Sequence, residues 1–299
     1  MVIEVPAALT ASHVKWEGEA GRLWAAGLPA LAERYLDEWD LRLDGEVRHG
    51  AVALVLPVVR TDGTKAVLKL QPLDEETVHE GLGLRVWAGS GSVLLLDEDP
   101  ETGTMLLERL EDRSLADVPD VMKALGLLTG LLRRLVAHPA PEDVRRLGDI
   151  AQGMLDDVDD ALGKLAREEE RRLVRWCASA VAELVSEPGD RLLHWDLHYD
   201  NVLAADREPW LAIDPKPLAG DPAFELLPAI HNRWEEIDGP GDVLRRFDFM
   251  VDGLGLDRQR AAGWTLGRVL QNCLWDVQAG AGELNEVQVQ VAQAVRARV

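Results

Sequence analysis

Eight consecutive residues in the second half of the chain combine groups that can transfer a phosphoryl group. They read His194-Trp195-Asp196-Leu197-His198-Tyr199-Asp200-Asn201. An Asp followed five residues later by an Asn is the spacing of loops in which the carboxylate accepts the proton of an attacking hydroxyl and the amide oxygen holds Mg²⁺. The spacing therefore predicts a loop built for phosphoryl transfer.

A second acidic position follows this loop at a distance that suits a metal ligand. The apolar run Trp210-Leu211-Ala212-Ile213 ends in Asp214, thirteen residues after Asn201. A strand that delivers a carboxylate at its end is where a second metal-holding residue would lie. Only six residues then separate Asp214 from Asp221, and Pro222 starts a predicted helix. Because this interval is too short for a peptide-docking segment, it indicates a small-molecule acceptor.

The elements that would position these groups fall into two regions. In the first, helical periodicity covers residues 20–39, with a break expected near Pro29, and residues 75–87. Its predicted strands are 51–59, 66–70, 92–97 and 104–110. The Asp62-Gly63 pair between the first two strands predicts a β-hairpin.

Beyond Pro119 the pattern is mostly helical. The predicted helices cover 121–137, 145–165, 168–185 and the region from 222 to the end, with a β-rich island over 192–213. We therefore expect an α+β fold with two lobes. Residues 1–110 would form a small, β-rich nucleotide-binding lobe with N-terminal helices, and residues 111–299 a larger helical lobe with the catalytic loop and acceptor site.

A lysine inside an apolar strand is the candidate phosphate-binding group. Lys69 lies in the run Ala66-Val67-Leu68-Lys69-Leu70, where burial would be costly unless the charge is paired. Glu80 on the next helix is the favoured partner. Glu75 and Glu76 are alternatives, although acids at a helix start usually serve the helix dipole. An edge-strand Lys at the surface is the other interpretation of Lys69.

With these residues in place, the chain resembles the aminoglycoside phosphotransferase superfamily, which has a protein-kinase-like fold. More narrowly, it resembles the branch of streptomycin 6-kinases and hydroxyurea phosphotransferases. The similar stretches run in the family's order and are Val67 to Leu70, Glu80 to Gly89, Leu106 to Leu110, His194 to Asn201, Ile213 to Lys216 and Gly220 to Glu225.

The resemblance implies roles for the residues of the catalytic loop. Asp196 would be the catalytic base, Asn201 and Asp214 would bind Mg²⁺, and His194 would brace the loop. Trp195 stands where protein kinases have the Arg that meets an activation-loop phosphate. The absence of this Arg argues against regulation by phosphorylation of an activation loop.

The resemblance also implies how the first region would bind ATP. Lys69, held by Glu80, would contact the phosphates, and the backbone from Glu108 to Leu110 would bind adenine as a hinge. The phosphate loop would lie near residues 48–53, where Gly50 is the one glycine in place of the usual three. Gly50 is equally well explained as an ordinary turn residue.

Residues near the loop and in the C-terminal third are candidates for binding the acceptor. They are His198, Asp221, Glu225, Trp234, Glu235, Trp275 and Asp276. Simpler interpretations stand beside this one: His198 could pack the loop, Asp221 before Pro222 could cap a helix, and the two Trp side chains could belong to the core.

The net charge of −21 decides which partners are expected. An acidic surface repels nucleic acid and anionic membrane and favours a cationic small molecule, although such charge also simply gives solubility. The two cysteines, Cys177 and Cys273, have no metal-binding spacing, and no apolar run reaches the roughly 18 residues that span a membrane. We expect a cytoplasmic protein that is a monomer or weak homodimer.

The sequence thus favours an ATP- and Mg²⁺-dependent kinase of a small hydroxyl compound, which the resemblance makes an aminoglycoside-type antibiotic. A metabolic kinase of a sugar or amino sugar is an alternative on the same fold. A nucleotide-binding pseudokinase that acts as a sensor is another, but every catalytic position is filled here.

Overall fold

The structure is a computed structural model that describes residues 3–298. It divides into two units: residues up to Glu111 together with Ala205–Arg207, and Asp112–Ala204 together with the residues from Glu208 onward. The first contains a six-stranded sheet and the second is mainly helical. The expected α+β class is therefore confirmed, whereas the functional division at residue 110 stays a prediction.

The sheet of the first unit is antiparallel throughout. Its strands are β1 Arg42–Leu43, β2 Arg48–His49, β3 Leu54–Val59, β4 Lys65–Leu70, β5 Leu95–Asp99 and β6 Thr104–Glu108. Their order is β1-β3-β4-β6-β5, with β2 also paired to β3. The predicted hairpin joins β3 and β4: Gly63 adopts φ +86° and Asp62 Oδ1 accepts a hydrogen bond from the Thr64 N–H at 2.9 Å.

Three helices complete the first unit: α1 Ala7–Glu17, α2 Glu19–Glu38 and α3 Glu80–Trp87. The predicted break at Pro29 is wrong, because α2 continues through it. Leu28, Ala32 and Tyr35 of α2 are completely buried in the core shared with the sheet. This burial holds the helix together despite the hydrogen bond that a proline removes.

Helix α3 is shorter than predicted. Asp74 Oδ1 accepts hydrogen bonds from the backbone N–H groups of Glu76 (2.8 Å) and Thr77 (2.9 Å). These bonds hold the preceding residues in turns instead of a helix. Glu80 is therefore the first residue of α3 and faces the interior.

The second unit contains seven α-helices among the described residues. They are α4 Val121–Leu135, α5 Leu147–Lys164, α6 Glu168–Leu184, α7 Leu226–His231, α8 Pro240–Leu254, α9 Arg258–Gln278 and α10 Glu286–Val295. Within residues 3–298, no helix is both long and apolar enough to cross a membrane.

Short strands flank the predicted phosphoryl-transfer loop. They are β7 Arg145–Arg146, β8 Arg191–Leu193, β9 Val202–Ala204, β10 Trp210–Ala212 and β11 Leu218–Gly220. Strands β9 and β10 form an antiparallel hairpin in which Val202 pairs with Ala212. This register places Asn201, just before β9, and Asp214, just after β10, at the same end of the hairpin.

Candidate active site

Lys69 and Glu80 form a buried ion pair in the first unit. Lys69 Nζ donates to the two Glu80 carboxylate oxygens at 2.7 and 2.8 Å, and the two residues are only 6% and 1% exposed. Gln71 Nε2 adds a third hydrogen bond to Glu80 Oε2 at 2.6 Å. The expected pairing is present, and it fixes an ammonium group that would be costly to bury alone. Its contact with ATP phosphates stays a prediction.

The predicted phosphate loop is a tight turn between β2 and β3, and we call residues 50–53 the phosphate turn. The Gly50 N–H donates to the Ala53 carbonyl at 2.9 Å. A Cβ added at Gly50 would meet no atom within 4 Å, and its φ is not in the left-handed region. The backbone therefore does not require glycine here, but glycine leaves open space beside the turn.

Glu108 and Leu110 lie at and just beyond the end of β6. The Glu108 side chain accepts a hydrogen bond from the Leu94 N–H at 2.9 Å and pairs with Arg207 at 2.6 Å. Arg207 also donates to the carbonyls of Gly89 (2.7 Å) and Ser92 (3.0 Å). Sequence reasoning missed this arginine, because it is separated from Glu108 by 99 residues. The adenine contact of Glu108 to Leu110 stays a prediction.

In the second unit, Asp196 and Asn201 are held in one compact loop. The Asn201 Nδ2 group donates to the Asp196 backbone carbonyl at 2.9 Å, and the Asn201 N–H donates to the His198 carbonyl at 3.1 Å. The Asp196 carboxylate keeps 30% of its surface exposed. The loop therefore presents a reachable carboxylate on a fixed backbone, as a catalytic base requires.

Asn201 and Asp214 suit Mg²⁺ by their position and their donor atoms. The Ile213 N–H donates to the Asn201 carbonyl at 2.9 Å, which ties the residue before Asp214 to Asn201. Because Asn201 Nδ2 is committed to Asp196, Oδ1 is the amide atom left to coordinate. One amide oxygen and one carboxylate fit the hard-oxygen preference of Mg²⁺, which takes its remaining ligands from phosphates and water. Asp214 has φ +58°, an uncommon backbone state that occurs more often at functional sites.

Trp195, next to the candidate base, is also held at a positive φ, +67°. The side chain is 2% exposed, and the guanidinium groups of Arg145 and Arg268 lie 4.2 Å and 4.8 Å from the centroid of its ring. The backbone N–H of Trp195 donates to Glu225 Oε1 at 2.8 Å. These contacts determine the direction in which the chain enters Asp196.

Glu225 is buried in the interior, whereas the sequence predicts it at the acceptor site. It was expected to bind the acceptor, but it is fully buried and its carboxylate accepts the Trp195 N–H. Burial raises the pKa of Glu225 to about 7, although hydrogen bonds from the Trp195 and His194 backbone act in the opposite direction. The buried Glu225 side chain thus holds the loop that contains Asp196.

His194 braces the same loop from its other side. Its Nε2 donates to the Ile213 carbonyl at 3.0 Å, and burial lowers the pKa of this imidazole to about 4. A neutral ring therefore connects β8 to the end of β10.

Among the other candidate acceptor residues, Asp221 and His198 have side chains with partners inside the protein. Asp221 is 8% exposed and caps the turn that begins at Pro222, accepting the Ala223 N–H at 2.8 Å, as its cap interpretation predicted. His198 Nδ1 lies 3.3 Å from the Asp200 carboxylate.

Three of the candidate side chains remain open to solvent. Glu235 is exposed, and Trp234 beside it is half-buried. Trp275 on α9 is 43% exposed, and its ring centroid lies 6.1 Å from that of Trp195. Partial burial raises the pKa of the neighbouring Asp276. The Trp275 ring is therefore available near the loop, and Asp276 follows it on the same helix.

Comparison of the sequence with known proteins gives a matching family and relatives that match along nearly the whole of this chain. Residues 38–280 match the model of a family described as aminoglycoside/hydroxyurea antibiotic resistance kinase. Streptomycin 6-kinase of Streptomyces glaucescens is 57% identical over 99% of this chain and 98% of its own length. Hydroxyurea phosphotransferase of Kitasatospora aureofaciens is 52% identical over 99% of this chain and 87% of its own.

The fold is also similar to that of a solved structure. A thermostable mutant of aminoglycoside phosphotransferase APH(4)-Ia, in a ternary complex with AMP-PNP and hygromycin B, superposes with a TM-score of 0.62. The match covers 89% of this chain and 98% of that chain at 14% identity, so it concerns the fold alone.

Proposed function

Because the chain belongs to the aminoglycoside/hydroxyurea antibiotic resistance kinase family, we propose that it phosphorylates a hydroxyl group of a streptomycin-type aminoglycoside with ATP and Mg²⁺. That it is an aminoglycoside-type resistance phosphotransferase follows from the full-length relatives. The specific acceptor, the metal and the residue roles are our proposal.

In the first unit, the proposed task is to bind the nucleotide. Lys69, oriented by Glu80 and Gln71, contributes one fixed positive charge for the ATP phosphates. The phosphate turn contributes backbone N–H groups, which attract anions. Both contributions matter in a chain of net charge −21, because its general field opposes a polyanion.

In the second unit, the proposed task is the transfer itself. Asp196 accepts the proton of the acceptor hydroxyl as that oxygen forms a bond to the γ-phosphorus and the bond to the ADP oxygen breaks. The amide oxygen of Asn201 and the carboxylate of Asp214 would hold Mg²⁺, which neutralises phosphate charge when bound. Glu225 and Trp195 keep the Asp196 backbone in one orientation.

The open side chains beside the loop support a cationic acceptor. Trp275 presents part of its ring to solvent and Asp276 follows it on α9. Guanidinium and ammonium groups bind aromatic faces and carboxylates. A neutral sugar could donate hydroxyl hydrogen bonds to the carboxylate but would gain no charge attraction from it, which places the metabolic sugar kinase second.

The observation that carries the proposal is the bond from Asn201 Nδ2 to the Asp196 carbonyl, together with the Asn201–Ile213 backbone bond. These two bonds hold the backbone of Asp196, Asn201 and Ile213 together at one end of the hairpin, which supports the roles proposed for Asp196, Asn201 and Asp214. The test is to incubate the purified chain with Mg²⁺, ATP and streptomycin, and to measure both ADP release and the gain of one phosphoryl mass by the antibiotic. Release of ADP without a modified acceptor would contradict the proposal.

Hydroxyurea is a second candidate acceptor, favoured by the 52% identical phosphotransferase. The same assay with hydroxyurea in place of streptomycin shows which of the two acceptors the protein phosphorylates more efficiently. A turnover number per KM that is higher for hydroxyurea than for streptomycin would reverse their order.

A further inference from the structure

We propose that helix α1 braces the phosphate turn and thereby sets the affinity for the nucleotide, with His13 as the main positioning residue. This inference rests on the proposed function, because it assigns the turn to ATP. Helix α1 lies before residue 38, outside the part of the chain that matches the family model.

Two side chains of α1 bond successive carbonyls of the turn. Ser12 Oγ donates to the Ala51 carbonyl at 3.2 Å, and His13 Nε2 lies 2.9 Å from the Val52 carbonyl. Because a carbonyl can only accept, Nε2 carries the hydrogen in this bond. One face of α1 is thus attached to the middle of the turn.

The remaining carbonyls of the turn are bonded as well. The Gly50 carbonyl lies 2.9 Å from His49 Nδ1, and the Ala53 carbonyl accepts the Gly50 N–H at 2.9 Å. All four carbonyl oxygens of the phosphate turn therefore have donors. Carbonyl oxygens repel phosphate and N–H groups attract it, so an arrangement that ties up every carbonyl favours an anion on the N–H side.

Helix α1 is itself attached firmly to the sheet. His13 is 2% exposed and its ring centroid lies 4.4 Å from that of Trp24 on α2. A Cβ at Gly21 would lie 2.4 Å from the His13 carbonyl, so only glycine allows α2 to approach this closely. Helix α2 in turn buries Leu28 and Tyr35 against the sheet. The path from sheet to α2 to His13 to Val52 is continuous and tightly packed.

If α1 braces the phosphate turn, removing the His13 hydrogen bond should lower the affinity for the nucleotide but not the affinity for the acceptor. His13→Ala should weaken binding of AMP-PNP with Mg²⁺ by about tenfold, the typical effect of one lost buried hydrogen bond, and should leave the KM for the acceptor unchanged. His13→Gln keeps an N–H at the position of Nε2 and should restore most of the affinity. Ser12→Ala should give a smaller loss.

The experiment combines calorimetric titration of AMP-PNP and Mg²⁺ with hydrogen exchange of residues 48–56 and a melting curve. Lys15→Ala, at an exposed position of the same helix, is the matched control. The inference predicts faster exchange of this segment in His13→Ala and Ser12→Ala, and wild-type behaviour in Lys15→Ala.

Unchanged nucleotide affinity in both His13→Ala and Ser12→Ala would overturn the inference while leaving the proposed function in place. An equal loss in Lys15→Ala would overturn it too, because the effect would then belong to the helix as a whole. A wild-type chain that binds no nucleotide would instead overturn the proposed function.

Discussion

The ammonium nitrogen of Lys216 lies 3.8 Å from Oδ2 of Asp196. The position is fixed by the backbone, since the Lys216 N–H donates to the His194 carbonyl at 3.0 Å. One positive charge therefore lies beside the proposed base, on a residue that comes two positions after the proposed metal ligand Asp214. The sequence contained this residue within the Asp-Pro-Lys segment, but nothing in the spacing assigned it a role.

Lys216→Ala should lower kcat by roughly tenfold to a hundredfold, because a fixed charge near the transferring phosphoryl group is lost. The KM for ATP should change less, and the melting temperature should change little because an ion pair between partly exposed groups contributes little to stability. Steady-state kinetics measures both parameters. Lys216→Arg is the control that keeps the charge and should recover part of the rate. Equal kcat in Lys216→Ala and wild type would remove Lys216 from the mechanism.

The raised pKa of Glu225 predicts that the free energy of unfolding depends on pH in a specific way. Its folded pKa of about 7 lies above its ordinary value of 4.5. A carboxyl with a raised pKa contributes stability that is fully present below pH 4.5 and is lost as the pH rises through about 7. Relative to Glu225→Gln, the wild type should therefore lose up to about 3 kcal/mol of unfolding free energy across this window.

The measurement is denaturant unfolding of both proteins at pH values from 4.5 to 8. Taking the difference between them matters because His194 and His231, whose pKa values are lowered to about 4, act in the opposite direction: their stabilisation is present above pH 6.5 and is lost as the pH falls. The variant retains both histidines. A difference curve that is flat with pH would contradict the buried, loop-holding role of Glu225.

The local parts of the site could be predicted from sequence, and the long-range parts could not. Lys69 was predictable because a lysine in an apolar strand must find a carboxylate, and the hairpin at Gly63 followed from its turn residues. The role of Glu225 was not predictable. It depends on a contact with Trp195 across 30 residues, and an acid in a short loop looks like a ligand residue until its burial is known.

Two further features of the structure differ from what the sequence predicts or were not predicted at all, and both depend on how the helices pack. Pro29 usually ends a helix, but the buried face of α2 outweighs that preference. The arginine pair around Trp195 joins α9 and β7, whose positions depend on the folded core.

Asp214→Ala should reduce the dependence of nucleotide affinity on Mg²⁺. Without the carboxylate, Mg²⁺ would lose one of its two proposed protein ligands and would neutralise the phosphate charge less well. Calorimetric titration of AMP-PNP with and without Mg²⁺ measures this. Asp200→Ala, an exposed carboxylate next to Asn201, is the matched control and should keep the metal effect. The metal role of Asp214 is wrong if both variants respond to Mg²⁺ as the wild type does.

Trp275→Ala should raise the KM for streptomycin by about two- to fivefold, the scale of an exposed cation–π contact, with little effect on the KM for ATP. Binding of a cationic acceptor should also weaken as salt rises, because part of the attraction is screened. Trp16→Ala, which removes a ring that is 68% exposed on α1, is the control. Salt-independent, tight binding of a neutral sugar would contradict a cationic acceptor.

The most direct measurement of the central claim is the turnover of streptomycin by Asp196→Asn. The substitution keeps the size of the side chain but removes the group that accepts the hydroxyl proton. We expect kcat to fall by about 10²–10⁴-fold while the calorimetric affinity for AMP-PNP and Mg²⁺ stays at the wild-type value. Turnover within a few-fold of the wild type, measured as phosphorylated streptomycin by mass spectrometry, would show that Asp196 is not the base and that the chemistry proposed here is wrong.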